Sequence, residues 1–218
     1  MSETAEFVPA LGRHALTGAY DRVLALTTRE RRWRAELLRL TAPEPGDRII
    51  DVGCGTGTFA LMLKRACPDA RVVGVDPDDA VLTIARRKAG AAQVEWRQGF
   101  GSDLAGVLGA QPATKVVSSL VLHQCPPPVK RKILAAMLDV LAPGGQVLIA
   151  DYGLQRSRLM RLLFRQIQAL DGFVNTQPNA DGILPELMSD AGFQGVEEVS
   201  RISTPTGSIS LYRGERRA

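Results

Sequence analysis

Apolar positions in this chain alternate between two spacings. Ile49, Ile50 and Val52 form a short unbroken run, rich in β-branched residues, as a strand covered on both faces requires. From Thr58 to Leu61 the spacing turns helical. The same change recurs along the chain. It predicts strands over 48–52, 71–75, 93–97, 115–119 and 146–150, with helices over 57–66, 78–88 and 129–141. Strands that alternate with helices predict an α/β fold, a doubly wound and mostly parallel sheet. Strands over 196–203 and 208–213 follow, joined near Pro205-Thr206-Gly207 with no helix between, so they should pair antiparallel.

Helical patterns flank this plan. Residues 1–12 read as a mobile lead. His14 to Leu26 reads as a helix with Leu16, Tyr20, Val23 and Leu24 on one face. Thr28 would cap a second helix, Arg29 to Leu40, with Trp33, Leu37 and Leu40 inward and the arginines outward. Pro43, Pro45 and Gly46 end it, giving an N-terminal helical lid over 1–45 that forms one unit with a domain over 46–218. Later, 156–170 places Leu159, Leu163, Ile167 and Leu170 on one face, with Arg158, Arg161 and Arg165 as a basic stripe. A solvated face is the favoured reading of that stripe, and contact with a membrane surface or an anionic substrate is its alternative. A further helix is expected over 180–191.

Composition narrows the class. The 218 residues are 45% hydrophobic, which suits one domain with a sizeable core. No apolar run is long enough to span a bilayer, and the polar, acidic start is not a secretory signal, so a cytoplasmic protein is expected. Three cysteines without C-x-x-C spacing argue against a disulfide framework or a zinc site. A net charge of +4 is too diffuse to indicate nucleic acid.

The chemistry gathers at Asp51-Val52-Gly53-Cys54-Gly55-Thr56-Gly57. Dinucleotide sites use G-x-G-x-x-G, with the third glycine one step later. Here Asp51 stands two positions before G-x-G-x-G, where it would repel a pyrophosphate and attract an ammonium or a sulfonium. The run 71–75 ends in Asp76, a position that accepts hydrogen bonds from ribose hydroxyls in doubly wound sheets. A third motif follows a later helix, Leu141-Ala142-Pro143-Gly144-Gly145-Gln146-Val147-Leu148-Ile149.

Together, and in this order, the three motifs resemble those of the class I S-adenosylmethionine-dependent methyltransferases over about residues 45–152. The segments Ala19-Tyr20-Asp21 and Arg32-Trp33-Arg34 resemble the N-terminal part of the ubiquinone/menaquinone-biosynthesis C-methyltransferases, which in that group folds over the cofactor and helps to form the acceptor pocket. Leu184 to Phe193, ending in Ala191-Gly192-Phe193, resembles the last helix of that fold. Two departures stand out. Phe100 occupies the place of an acidic residue that reads adenine, and Thr114-Lys115 replaces an acidic start to the fourth strand.

The resemblance implies a Rossmann-like sheet of seven strands ending in an antiparallel hairpin. It implies S-adenosylmethionine as methyl donor, with S-adenosylhomocysteine as product. Asp51, Gly53, Gly55 and Gly57 would hold the methionine end, with Cys54 and Thr56 in the same loop. Asp76 would take the ribose, while Pro77, Gly99 and Phe100 line the adenine. Leu120 and His123 would stand beside the methyl group. His123, Tyr20 and His14 are the candidate bases, weighed evenly against no dedicated base at all. Neither a metal nor a nucleophilic triad is required. The acceptor would be small and partly apolar, with no nucleic acid as partner, and monomer and homodimer both stay open. An NAD(P)-dependent oxidoreductase, or a methyltransferase-like binding module without activity, is the alternative.

Overall fold

In the computed structural model, residues 29–109 and 111–218 are described. Helix α1 (Glu30–Thr41) leads into β1 (Arg48–Val52), α2 (Thr58–Ala66), β2 (Arg71–Asp76), α3 (Asp79–Ala89) and β3 (Val94–Gln98). Then come α4 (Leu104–Leu108), β4 (Ala113–Ser119), a 3-10 turn over Leu122–Gln124, α5 (Pro127–Val140) and β5 (Leu141–Tyr152). The chain closes with α6 (Arg158–Asp171), α7 (Phe173–Ala180), α8 (Leu184–Asp190), β6 (Gln194–Thr204) and β7 (Gly207–Glu215).

The seven strands form one sheet in the order β3-β2-β1-β4-β5-β7-β6, parallel from β3 to β5, with β7 antiparallel to both neighbours. This is the expected doubly wound plan with a terminal hairpin. Because side chains alternate, each strand serves two cores. Ile50, Val52, Val73, Val116 and Ile149 face one, under α5 and α8. Ile49, Val72, Val117 and Leu148 face the other, under α1, α2 and α6, where Trp33, Leu37, Phe59 and Phe164 pack.

Several expectations need correction. The helix expected over 180–191 is α8, which starts only at Leu184 because Gly182 at φ +89° turns the chain before it, and α7 over 173–180 is an additional helix that the pattern did not predict. Strand β5 begins at Leu141, and the Pro143-Gly144-Gly145 turn lies within it as an irregularity in its pairing with β4. The arginines of α1 do not all point outward, because Arg34 turns inward beside Trp33. Leu159 and Leu170 are exposed, while α6 buries Ile167, as expected, together with Phe164, which lay outside the expected face. The helix is rotated so that its bulkiest apolar side chain, Phe164, packs against Tyr152. The expected lead over 1–12, the helix from His14 to Leu26 and the Thr28 cap lie outside the described residues. No helix among the described residues is long and apolar enough to cross a membrane.

Candidate functional site

Strand order reverses between β1 and β4, the place at which open α/β sheets bind their ligands. Asp51, the glycine loop, Asp76, Gly99, Phe100 and Leu120 all stand at the carboxyl ends of β1, β2, β3 and β4. The fold thus gathers the expected cofactor residues on one edge. His14 and Tyr20 lie outside the described residues.

Asp51 shares the face of β1 with Ile49, two residues earlier, and α1 covers that face. Its carboxylate is almost fully buried, and neither oxygen has a hydrogen-bond partner among the described residues. Burial pushes its pKa up to about 7, with nearby Asp76 adding repulsion, while Arg34 and, more weakly, the Ala60 amide outside hydrogen-bonding geometry favour the ionised form. Arg34 is a candidate site residue that the sequence pattern missed. Its Nη2 pairs with Glu30 at 2.5 Å, but Nε and Nη1 are buried without partners among the described residues. An unpartnered buried carboxylate beside unpartnered guanidinium N–H groups is costly. An amino-acid zwitterion would satisfy both, its ammonium on Asp51 and its carboxylate on Arg34. The available signal was parity. Arg34 follows the inward Trp33 on a helix laid over the Asp51 face.

The glycines differ in what they permit. A Cβ at Gly53 would stand 2.2 Å from Val121 Cγ2, and one at Gly57 would stand 2.4 Å from Trp96 Cη2. Those two are therefore required by the protein's own packing. Gly55, at φ +52°, has open space where its Cβ would be, so its backbone can approach a ligand. Thr56 Oγ1 accepts from Lys88 Nζ at 2.7 Å, and Cys54 is buried with its thiol held neutral by burial and by the two nearby aspartates.

Asp76 already braces the site. Its Oδ2 accepts from the Gly55 N–H at 2.8 Å and its Oδ1 from the Asp78 N–H at 3.0 Å. Each oxygen keeps a second lone pair for a ligand hydroxyl. Gly99 N–H donates to Asp76 O at 3.1 Å, while Gln98 Nε2 donates to Pro77 O at 3.1 Å, so the β2 and β3 ends form one rim. Phe100 stands half out of that rim, 53% exposed.

The loop after β4 carries the charged framework. Leu120 takes φ +56° and donates to Ala150 O at 2.9 Å. Buried Asp151 accepts through Oδ2 from the amides of Val121 at 3.1 Å and Leu122 at 2.7 Å. Its Oδ1 lies 2.7 Å from His123 Nδ1, and the other ring nitrogen lies 3.3 Å from Asp171 Oδ2. Burial alone would lower the His123 pKa, but the two carboxylates outweigh it and raise the pKa to about 9. Both nitrogens are thus engaged by acceptors, and the ring is an imidazolium at neutral pH. In this state it has no site for an incoming proton. Lys130 Nζ, fully buried, donates to Leu122 O at 2.7 Å, Asn175 O at 2.8 Å and Asn179 Oδ1 at 2.6 Å. The loop is therefore tied to α5, α7 and the end of α6.

Comparison with known proteins gives the family and the fold. A family model described as a methyltransferase domain matches residues 49–145. The demethylmenaquinone methyltransferase of Thermus thermophilus is 31% identical over 191 residues, 83% of each chain. That of Deinococcus radiodurans is 29% identical over 88% of this chain and 80% of its own. Among solved structures, magnesium protoporphyrin IX methyltransferase from Synechocystis, with bound S-adenosylhomocysteine, superposes with a TM-score of 0.65 at 15% identity, covering 86% of this chain and 83% of its own.

Proposed function

The chain belongs to the S-adenosylmethionine-dependent methyltransferases, and from that premise we propose that it methylates a ring carbon of a small, partly apolar acceptor of the quinol type. The observation that carries this reading is the likeness to demethylmenaquinone methyltransferases along most of both chains.

When bound, S-adenosylmethionine supplies a methyl group on a sulfonium, which needs no further activation as a leaving group. The protein's task is then to bind, align and exclude water. Asp51 and Arg34 would hold the amino-acid end, and the open side of Gly55 would let the chain lie against the backbone. Asp76 would accept from the ribose, and Pro77, Gly99 and Phe100 would frame the adenine. Asp151 fixes the Val121 and Leu122 amides and so sets where Leu120 stands against the reacting groups. We assign His123 to holding this loop and not to proton removal, since both its nitrogens face carboxylates.

The test is incubation of the purified protein with S-adenosylmethionine and a reduced naphthoquinone unsubstituted at one ring carbon. A product heavier by one methylene, with the new methyl on carbon, is expected. If S-adenosylhomocysteine binds in calorimetry while no such product forms, the acceptor assignment is wrong and the family assignment stands. Binding of NADH in its place would support the oxidoreductase alternative.

A further inference from the structure

We propose that the exposed face of α6 and the start of α7 docks the protein onto an anionic lipid bilayer. Helix α6 presents Leu159, Leu162 and Leu170 to solvent, and α7 continues the patch with Phe173 and Val174, each more than half exposed. Five large apolar side chains on neighbouring turns are unusual for a surface that meets only water. Gln166, which interrupts the stripe, turns its amide away to donate to Pro205 O at 3.2 Å on the hairpin turn.

Charge identifies the partner. Arg158, Arg161 and Arg165 run along the other flank of the same exposed face, spaced at helical intervals. Arg158 and Arg165 have no ion-pair partner among the described residues, while Arg161 meets exposed Asp181 at 3.4 Å. Arg161 and Arg165 also line a shallow cleft of about 180 Å³ with Phe173 and Gln168. The acid at the end of α6, Asp171, is turned inward onto His123 and leaves the flank basic. An apolar stripe edged by guanidinium groups is the pattern of a helix that lies in a lipid headgroup layer, its leucines at the acyl boundary and its arginines among phosphates. A protein partner would need a matching acidic rim around an apolar groove, whereas a bilayer offers both without a specific shape.

The position also has a consequence, which rests on the proposed acceptor. Asp171 joins this face to the loop after β4, so the docking surface borders the acceptor side of the crevice. A partly apolar acceptor dissolved in the bilayer would reach the crevice without crossing water.

Full-length protein should be sedimented with vesicles of phosphatidylcholine alone and of phosphatidylcholine mixed with phosphatidylglycerol. Binding to the mixed vesicles, weakened by salt, is expected, with none to the neutral ones. Leu162→Glu with Phe173→Glu should abolish it, and Arg158→Gln with Arg165→Gln should lower partitioning about fivefold per arginine. All variants should keep the wild-type affinity for S-adenosylhomocysteine, which reports folding separately from docking. Wild-type protein left in the supernatant with both vesicles would overturn the proposal. So would sedimentation of the Leu162→Glu, Phe173→Glu variant equal to wild type. A wild-type dimer split by that variant in light scattering would assign the face to a second copy of the chain instead. None of these readings depends on the identity of the acceptor.

Discussion

His123 Nδ1 and Asp151 Oδ1 lie 2.7 Å apart inside the protein, with Asp171 against the opposite ring nitrogen. This pairing fastens the end of α6 to the loop that follows β4. Its energetics have a defined sign. The His123 pKa rises from 6.5 to about 9, so the folded state holds the proton more tightly than the unfolded chain does. The stabilisation is complete below pH 6.5 and is lost as pH rises through about 9. It amounts to about 3 kcal/mol at most. Urea midpoints should fall across that window, and His123→Gln should flatten the slope while lowering stability on the acid side. An unchanged slope in the variant would show that another group titrates.

The two outer functions of the glycine loop can be separated by mutation. Both Gly53 and Gly55 have positive φ, so an alanine at either strains the backbone by roughly 1–2 kcal/mol. Gly53→Ala also drives a Cβ into Val121 and should lower the melting temperature further. Gly55→Ala points into open space, so it should cost only the backbone strain yet weaken S-adenosylhomocysteine binding in calorimetry. Equal stability losses with equal affinities would remove the distinction.

The fold was legible because its strands are buried on both faces. Runs such as Ile49-Ile50 and Val72-Val73 leave little choice of period, and Asp51 and Asp76 announce themselves by ending such runs in acid. What stayed hidden depended on tertiary choice. Leu159 and Leu170 fit a helical stripe as well as Phe164 and Ile167 do, and only docking against Tyr152 settles which side is buried. Arg34 looked like one more surface arginine because its place after Trp33 is legible in the sequence but the sheet face that α1 covers is not. The missing acid at the start of β4 proved to be an exchange of sides. Lys115 Nζ meets Asp47 Oδ2 at 2.6 Å and Thr114 Oγ1 donates to Asp47 Oδ1 at 2.7 Å, so the acid sits on the neighbouring segment.

Asp76 serves the empty protein and would serve the ligand with the same two oxygens. Asp76→Ala should weaken S-adenosylhomocysteine binding by about 1–3 kcal/mol, the loss of hydrogen bonds to a charged acceptor. The variant also frees the Gly55 amide, so part of the loss reflects a looser loop. Asp76→Asn keeps one carbonyl acceptor and should retain an intermediate affinity. Isothermal titration distinguishes the three proteins, and an unchanged affinity in Asp76→Ala would withdraw the ribose assignment.

Asp51 makes cofactor binding sensitive to pH. Its pKa stands raised from 3.8 to about 7, so the carboxyl group is largely protonated below that value. A ligand ammonium favours the ionised form and must displace the proton on binding. Affinity for S-adenosylhomocysteine should therefore rise by up to about tenfold per pH unit below about 7 and level off above it. Binding heats measured in buffers of different ionisation enthalpy should reveal the released proton. Asp51→Asn should bind more weakly and lose this pH dependence, and a retained dependence would place the proton elsewhere.

Arg34 offers the sharpest check, because its assigned partner can be deleted from the ligand instead of the protein. If its free N–H groups take the carboxylate, Arg34→Met should weaken S-adenosylhomocysteine binding by about 1.5–3 kcal/mol. 5′-Methylthioadenosine lacks both the carboxylate and the ammonium, so it should bind the variant and the wild type alike. The same substitution removes a buried charge whose pKa burial already lowers and whose Nε and Nη1 have no partner among the described residues. Relief of that desolvation cost should offset much of the loss of the Glu30 pair and of the cation beside Asp51, so the variant should stay close to wild type in stability. Loss of affinity for both ligands, or a marked fall in stability, would mean that Arg34 supports the fold of α1 and not the amino-acid end of the cofactor.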